Sequence, residues 1–498
     1  MNVAILTVGS RGDVQPFVAL GVGLEEAGHE VTLATGSGFE AFVRGRGLRH
    51  AALDLDLLER MQSPEGKAAL SARRLPGTIK RLMPMFRNML DAEWGVSRGA
   101  DVIVYHPKAL GGYHIAEALG VPGLLTHPVP MFSPTRAFPN PVLPLTDLGG
   151  YLNRLSYGAF LRLISAPYGR VINRWRKETL NLPPRRFMAS ELELRGEPVR
   201  RLICCSPHVV PPPADWGHAT TATGYWFLEG TGGWQPPVHL LRFLEDGPPP
   251  VYVGFGSLAG WTPKRVILEA MTALKRSGQR GVLVTGEGHV PSAEPQNVCV
   301  IDSAPHDWLF PRMAAVVHHG GAGTTAEGLR AGKPAVICPT SINDQAFWGR
   351  RVHALGAAPE PIPQRKLTAG ALLRAIRAAT ADGRMRGRAA DLGEKVRAER
   401  LSVRKTEELV REGLAEPQGS PEVKAKPREE RKEPDRYREI SRKIQDALTL
   451  PTRVRPSRKG GRVEIRFREE EELEALVTLL TTDSIENKHS TKESGLGG

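Results

Sequence analysis

Ala315-Val316-Val317-His318-His319-Gly320-Gly321-Ala322-Gly323-Thr324-Thr325-Ala326-Glu327-Gly328 is the stretch whose reading decides the fold. The short apolar run Ala315–His318 reads as a buried strand and Thr324–Ala331 as a helix, with a glycine-rich turn between them. Such a turn aims backbone N–H groups and the positive end of a helix at one point, which suits a phosphate group. Gly321 and Gly323 supply close backbone approach, and Thr324 and Thr325 supply hydroxyls. A histidine at the strand end can donate to phosphate oxygens, and Glu327, one turn on, can take two sugar hydroxyls. An ordinary glycine-rich turn is the alternative that the local residues leave open.

The same alternation continues on both sides. Val251–Phe255, Gly281–Thr285, Val298–Ile301 and Ala335–Cys338 read as strands, and Pro263–Ser277 and Asp344–Leu355 as helices. The first half repeats the pattern: strands Val3–Val8, Glu30–Ala34, Val102–Tyr105, Gly123–Thr126 and Leu202–Cys205, with helices Phe17–Ala27 and Gly111–Leu119. Pro211–Pro213, Gly230–Pro237 and Pro248–Pro250 lie between the halves. Two parallel-sheet α/β domains facing a cleft are expected, with ligands beyond the carboxyl ends of the strands.

Composition narrows the class. Of 498 residues, 41% are hydrophobic and 24% charged, which excludes a wholly disordered chain. No apolar run approaches the ~18 residues of a membrane span. The N-terminus reads as a core strand rather than a signal peptide. Cys204, Cys205, Cys299 and Cys338 show no metal-ligand spacing, so a reduced cytoplasmic protein is expected. The net charge of +13 suits anionic partners. Residues 417–498 hold 18 Lys+Arg against 16 Asp+Glu, so the basicity belongs to the body of the chain.

Three further stretches stand out. Gly9-Ser10-Arg11-Gly12-Asp13 follows the first strand and is not the GxGxxG of nicotinamide-binding folds. Asp13 there can face a ligand or simply cap a helix. Asp344-Gln345 stands at the next strand-to-helix loop of the second half, where a carboxylate beside an amide suits vicinal sugar hydroxyls, or caps its helix. Arg73–Arg87 mixes basic and apolar residues, either for an anionic membrane or as a core helix with a solvated face. Val129–Pro144, rich in Pro and Phe, reads as an acceptor-pocket loop.

Gly9–Asp13, Tyr252–Ser257, Ala304–Leu309, His318–Thr325 and Asp344-Gln345, in this order, resemble nucleotide-sugar-dependent glycosyltransferases of the family 1 and 28 type. Bacterial sterol, macrolide and glycopeptide glucosyltransferases are the nearest in pattern, over about residues 1–412. The resemblance implies the two-domain glycosyltransferase B fold: an acceptor domain at 1–215, a linker at 216–249, and a donor domain at 250–415 whose last helix crosses back. It implies transfer of a hexose from a UDP-sugar to a hydrophobic hydroxylated acceptor (a lipid, sterol or polyketide antibiotic), with inversion and without metal or other cofactor. Asp13 matches the base, with Ser10, Arg11 and Gly12 in its turn. His319 matches the diphosphate ligand, with Ser257, Gly321, Gly323 and Thr324 around the phosphates. Glu327 matches the ribose ligand, Asp344 and Gln345 the sugar contacts, and His306 and Trp308 lie in the base-cradling loop.

Beyond residue 415 the composition changes. Residues 416–436 read as a flexible charged linker, 437–480 as a small α+β module and 481–498 as a disordered tail. The module, with strands Thr452–Pro456 and Arg462–Phe467, resembles the C-terminal dimerisation domain of chromosome-partitioning ParB proteins. That likeness implies a homodimer and nonspecific DNA contact through Arg453, Arg455, Lys459 and Arg462. Two other functions fit parts of the pattern: a non-catalytic, DNA-associated nucleotide-sugar sensor, and a nucleotide-sugar epimerase. Asp13 favours a transferase over the first, and the Gly9–Asp13 and Asp344-Gln345 motifs over the second.

Overall fold

β1 (Asn2–Leu6) is apolar on both faces because helices cover both sides of its sheet. Val3 and Ile5 join one core with Val14, Phe17, Val18, Leu20 and Leu24 of the Arg11–Glu26 helix. Ala4 and Leu6 join a second with Met89, Leu90 and Trp175. In the computed structural model the described residues are 1–53, 75–143, 145–186, 191–230, 233–256, 264–285, 296–340, 344–399, 408, 411, 452–457 and 460–465. The chain divides into two units, Met1–Ala415 and Glu416–Gly498.

The first unit holds two parallel sheets. Alongside β1, the first contains β2 (Glu30–Gly36), β3 (Arg49–Leu53), β4 (Val102–Tyr105) and β5 (Gly123–His127). A small hairpin, β6 (Glu193–Leu194) and β7 (Glu197–Pro198), precedes β8 (Arg200–Ile203) and β9 (Thr220–Ala222). The strand order is β3-β2-β1-β4-β5-β8-β9. The second sheet comprises β10 (Val251–Gly254), β11 (Gly281–Val284), β12 (Val298–Ile301), β13 (Ala315–His318) and β14 (Ala335–Ile337), in the order β12-β11-β10-β13-β14. Both sheets reverse their winding once, between β1 and β4 and between β10 and β13. Crevices open at those points beyond the strands' carboxyl ends.

Three differences from the sequence reading have physical causes. The first helix starts at Arg11, not Phe17: Pro16 lies inside it and forgoes only one backbone bond. Sequence patterning misses β3, an edge strand with a largely polar face. Residues 216–228, read as linker, instead complete the first domain. β9 extends its sheet, and Trp226 and Leu228 are buried in its core.

The two halves of this unit share a core. Val129, Ile203, Val209, Trp216 and Tyr225 pack with Leu329, Trp348, Val352, Leu392 and Val396. After the Gly383–Ala398 helix, Glu399 accepts a hydrogen bond from Ser206 Oγ at 2.5 Å, so the last helix returns to the first domain. In the second unit, β15 (Thr452–Ser457) pairs antiparallel with β16 (Gly460–Ile465). Its register sets Arg453 opposite Glu464, Val454 opposite Val463 and Arg455 opposite Arg462. Lys459, the flanking helices, the charged linker and the tail lie outside the described residues. Among the described residues no helix is long and apolar enough to cross a membrane.

Candidate active site

At the first crevice the chain leaves β1 through Gly9, whose φ of +144° favours glycine. A Cβ there would lie 2.2 Å from Asp13 Oδ2. The Ser10 N–H and hydroxyl donate to that oxygen at 2.8 and 3.1 Å, so Asp13 does cap the helix. Its other oxygen, Oδ1, accepts from Lys108 Nζ at 2.8 Å and lies 3.6 Å from His106 Nε2. Capping and facing the crevice therefore coexist, one through each oxygen. Burial pushes the Asp13 carboxyl up, but the Lys108 ammonium, His106 and the Ser10 N–H outweigh it and hold it below the usual range. The group is ionised at neutral pH.

His106 and Lys108 follow β4 and are the site residues that motif reading misses. Adjacency of β4 to β1 brings them to Asp13 across more than ninety residues of sequence. The backbone N–H of Lys108 donates to His106 Nδ1 at 3.2 Å, which leaves the ring proton on Nε2, facing Asp13. Phe17 backs the ring edge-on at 5.8 Å. Burial drives His106 down to about 4, so the imidazole is neutral.

At the second crevice His319 sits between two glycines. A Cβ on Gly256, where φ is +92°, would come within 2.6 Å of its ring, and one on Gly321 within 2.5 Å. Burial lowers His319 to about 4, and its Nδ1 is buried without a partner. A buried polar atom in a glycine-lined cradle at the start of the Ala322–Arg330 helix fits an incoming anion. Gly321, Gly323 and Thr324 line the same half-open turn. The Thr325 hydroxyl, expected to face phosphate, donates instead to the Gly321 carbonyl at 2.9 Å. Glu327 is buried and pushed up to about 7, with Arg330 opposing the burial.

Asp344 and Gln345 are already engaged within their own domain. Asp344 Oδ2 accepts from the Trp348 indole at 2.7 Å, and burial raises the carboxyl to about 6. Gln345 Oε1 accepts from the Thr340 N–H and hydroxyl at 2.8 and 2.9 Å, so its amide N–H groups are what it can offer a sugar. His306 stacks on Phe310 at 4.3 Å and meets Tyr252 edge-on. Trp308 leans on Trp234, with the Arg312 guanidinium 4.2 Å from its ring centroid, so part of its aromatic surface is spent within the fold. Ser257 lies outside the described residues.

The two crevices face each other. Asp13 and Lys108 both act on the charge of Asp344, and Arg11 on that of His306. The Arg11 guanidinium lies 4.8 Å from the Phe42 ring centroid and feels the charge of Asp307. Predicted base, phosphate cradle and sugar ligands thus converge from opposite halves of one unit. The four DNA-contact candidates of the tail belong to the other unit.

Comparison with known proteins agrees with this geometry. Residues 3–138 match the Glycosyltransferase family 28 N-terminal domain, and residues 259–415 the Erythromycin biosynthesis protein CIII-like C-terminal domain. Sterol 3-beta-glucosyltransferase UGT80A2 of Arabidopsis thaliana is 39% identical over 375 residues, covering 73% of this chain and 58% of that protein. Sterol 3-beta-glucosyltransferase of Yarrowia lipolytica is 36% identical over 416 residues, covering 80% of this chain and 28% of that protein. The chain therefore spans between about a quarter and three-fifths of these relatives' length. The solved glycotransferase of kitacinnamycin superposes with a TM-score of 0.62 at 20% identity, over 83% of this chain and 99% of its own. By these matches the chain joins a glycosyltransferase family 28 N-terminal domain to an erythromycin CIII-like C-terminal domain in the glycosyltransferase B fold.

Proposed function

We propose that the chain transfers glucose from UDP-glucose to the hydroxyl of a sterol or similarly hydrophobic acceptor, by inverting displacement. The observation that carries this is an ionised Asp13 facing, across one cleft, a glycine-lined histidine cradle with an unsatisfied nitrogen. The acceptor oxygen attacks the anomeric carbon and its proton passes to Asp13. The bond from that carbon to the phosphate oxygen breaks, and UDP leaves with the electron pair. Asp13 is a weak base, so proton transfer completes late, as the attacking oxygen becomes acidic; general-base help of this kind contributes roughly 10² to 10⁴ in rate. Neutral His106 and cationic Lys108 keep the carboxylate ionised and oriented. His319 and the helix N-terminus stabilise the departing diphosphate, with no metal needed at the phosphates. The sterol 3-beta-glucosyltransferases support the choice of sugar and acceptor.

The test is a mass-detected transfer assay with UDP-glucose, other nucleotide sugars and a sterol, lipid and polyketide panel, run with and without chelator. A β-glucoside formed from UDP-glucose is expected, with Asp13→Asn retaining under a tenth of the rate and near-normal donor affinity. A variant as fast as the parent would refute the base assignment, and turnover lost with chelator would refute metal independence. We further propose cytoplasmic residence, supported by Cys204, Cys205, Cys299 and Cys338 being buried and without metal-ligand spacing. Dimerisation and nonspecific DNA contact are proposed for the tail, supported by its ParB-like strand pattern and charge.

A further inference from the structure

The Gly150–Ser165 helix presents its apolar residues on the wrong side for a globular core. Tyr151 is 75% exposed, Leu152 50%, Leu155 49% and Leu163 74%, and Leu145 just before the helix is 46% exposed. These are five of the seven large hydrophobics exposed among the described residues. At 3.6 residues per turn the four on the helix fall within one arc of about 120°. Arg162 lies inside that arc, whereas Arg154, about 60° outside it, lies 3.6 Å from Asp215. From residue 148 to 177 the chain has no Asp or Glu and six Arg or Lys, of which Arg176 is buried against Glu117 and Arg174 pairs with Glu178. Asp147, the acid nearest the start of this run, is held by the Asn153 amide and the Gly149 N–H.

The opposite side of the same helix supports the loop read as the acceptor pocket. Asn153 donates to the Arg136 carbonyl, the Asn140 N–H donates to Ser156 Oγ, and Phe160 meets Phe132 at 6.0 Å. We propose that this face docks on an anionic bilayer and places the acceptor loop where a membrane-dissolved acceptor is drawn out. The proposal rests on the lipid-acceptor reading above. Apolar side chains entering the headgroup boundary around Arg162, with the neighbouring carboxylates Asp147 and Asp215 already engaged by Asn153 and Thr135, fit a negatively charged lipid surface. The surface differs from the basic Arg73–Arg87 stretch, in which Arg87 is tied to Asp91 and Glu178.

The experiment is vesicle flotation of the full chain with phosphatidylcholine alone and with about a third phosphatidylglycerol. The parent should float only with the anionic vesicles and release at high salt. The doubly substituted Leu152→Glu/Leu163→Glu chain should lose at least about tenfold in partitioning. Both positions are exposed, so its melting temperature and its turnover of a detergent-dispersed acceptor should match the parent. Turnover of vesicle-embedded acceptor should fall with the partitioning. Equal flotation of parent and variant, or a parent that ignores anionic vesicles, overturns docking. So does a parent that is dimeric by light scattering and a variant that is monomeric, because the face then joins two copies. Flotation as expected with no transfer in either format would leave docking standing and sink the transferase reading instead.

Discussion

Glu327 turns the donor site into a proton-linked one. Its carboxyl is buried and pushed up to about 7, so near neutrality roughly half the free protein carries the proton. The ionised form accepts from both ribose hydroxyls through charge-assisted bonds, which the protonated form cannot match. With that pKa, ~9% is ionised at pH 6 and ~91% at pH 8, so affinity for UDP-glucose should rise about tenfold across the interval. Binding at pH 7 should release about half a proton, measurable by calorimetry in buffers of different ionisation heat. UDP-glucose is the right probe because its diphosphate is fully esterified and does not titrate here. His319, at about 4, stays neutral throughout, whereas Asp344, at about 6, contributes a smaller release of the same sign. Glu327→Gln should remove most of the pH dependence and leave the Asp344 remnant. Stability moves the other way. The native state holds the proton more tightly than the unfolded chain, so stability present below about 4.5 is lost as pH rises through 7, by about 3 kcal/mol. Flat UDP-glucose affinity from pH 6 to 8 in the parent chain would refute the assignment of Glu327 to the ribose.

Three other outcomes follow from the same geometry. Lys108→Met removes the charge that opposes burial of Asp13, so the acid limb of the kcat/KM profile should move to higher pH; an unmoved limb would show that Lys108 does not set the base. His319→Ala should weaken donor binding and lower kcat together, because the diphosphate is contacted before and during departure; unchanged affinity in a titration would remove His319 from the phosphate site. A chain ending at Ala415 should be monomeric by light scattering and retain full transfer. Persistence of a dimer would move the assembly element into the first unit, and loss of turnover would give the tail a catalytic part.

Both glycine-rich turns are legible from residue order because each sits directly between a buried strand and its helix. A parallel strand covered on both faces is a continuous apolar run, as in β1, β10 and β13, and such runs are short and well bounded. Edge strands lack that signature, which is why β3 and β9 escape. The rule that ligands gather where sheet winding reverses was available too, but it needs the strand order. Once β4 is known to lie against β1, the residues just beyond it become neighbours of Asp13 by construction. His106 and Lys108 could then have been named from the sequence Val102–Lys108 alone.

What residue order does not reveal is how each polar atom is spent. Thr325 and Gln345 carry the right groups at the right positions, yet their hydroxyl and amide oxygen are satisfied inside the donor domain. His319, by contrast, keeps a buried nitrogen without a partner between two glycines that make room for it. Burying a polar atom unpaired is costly, and a ligand that completes the bond here would remove that cost. The same reasoning ranks the carboxylates. Asp13 divides its oxygens between a helix cap and an ammonium and stays ionised, Asp344 accepts an indole N–H at about 6, and Glu327 waits near 7. At neutral pH Asp13 and Asp344 are therefore mainly ionised and Glu327 about half so, because burial is offset by cationic neighbours most fully at Asp13. That difference separates an ionised base from the donor ligand Glu327, whose proton leaves as the sugar nucleotide arrives.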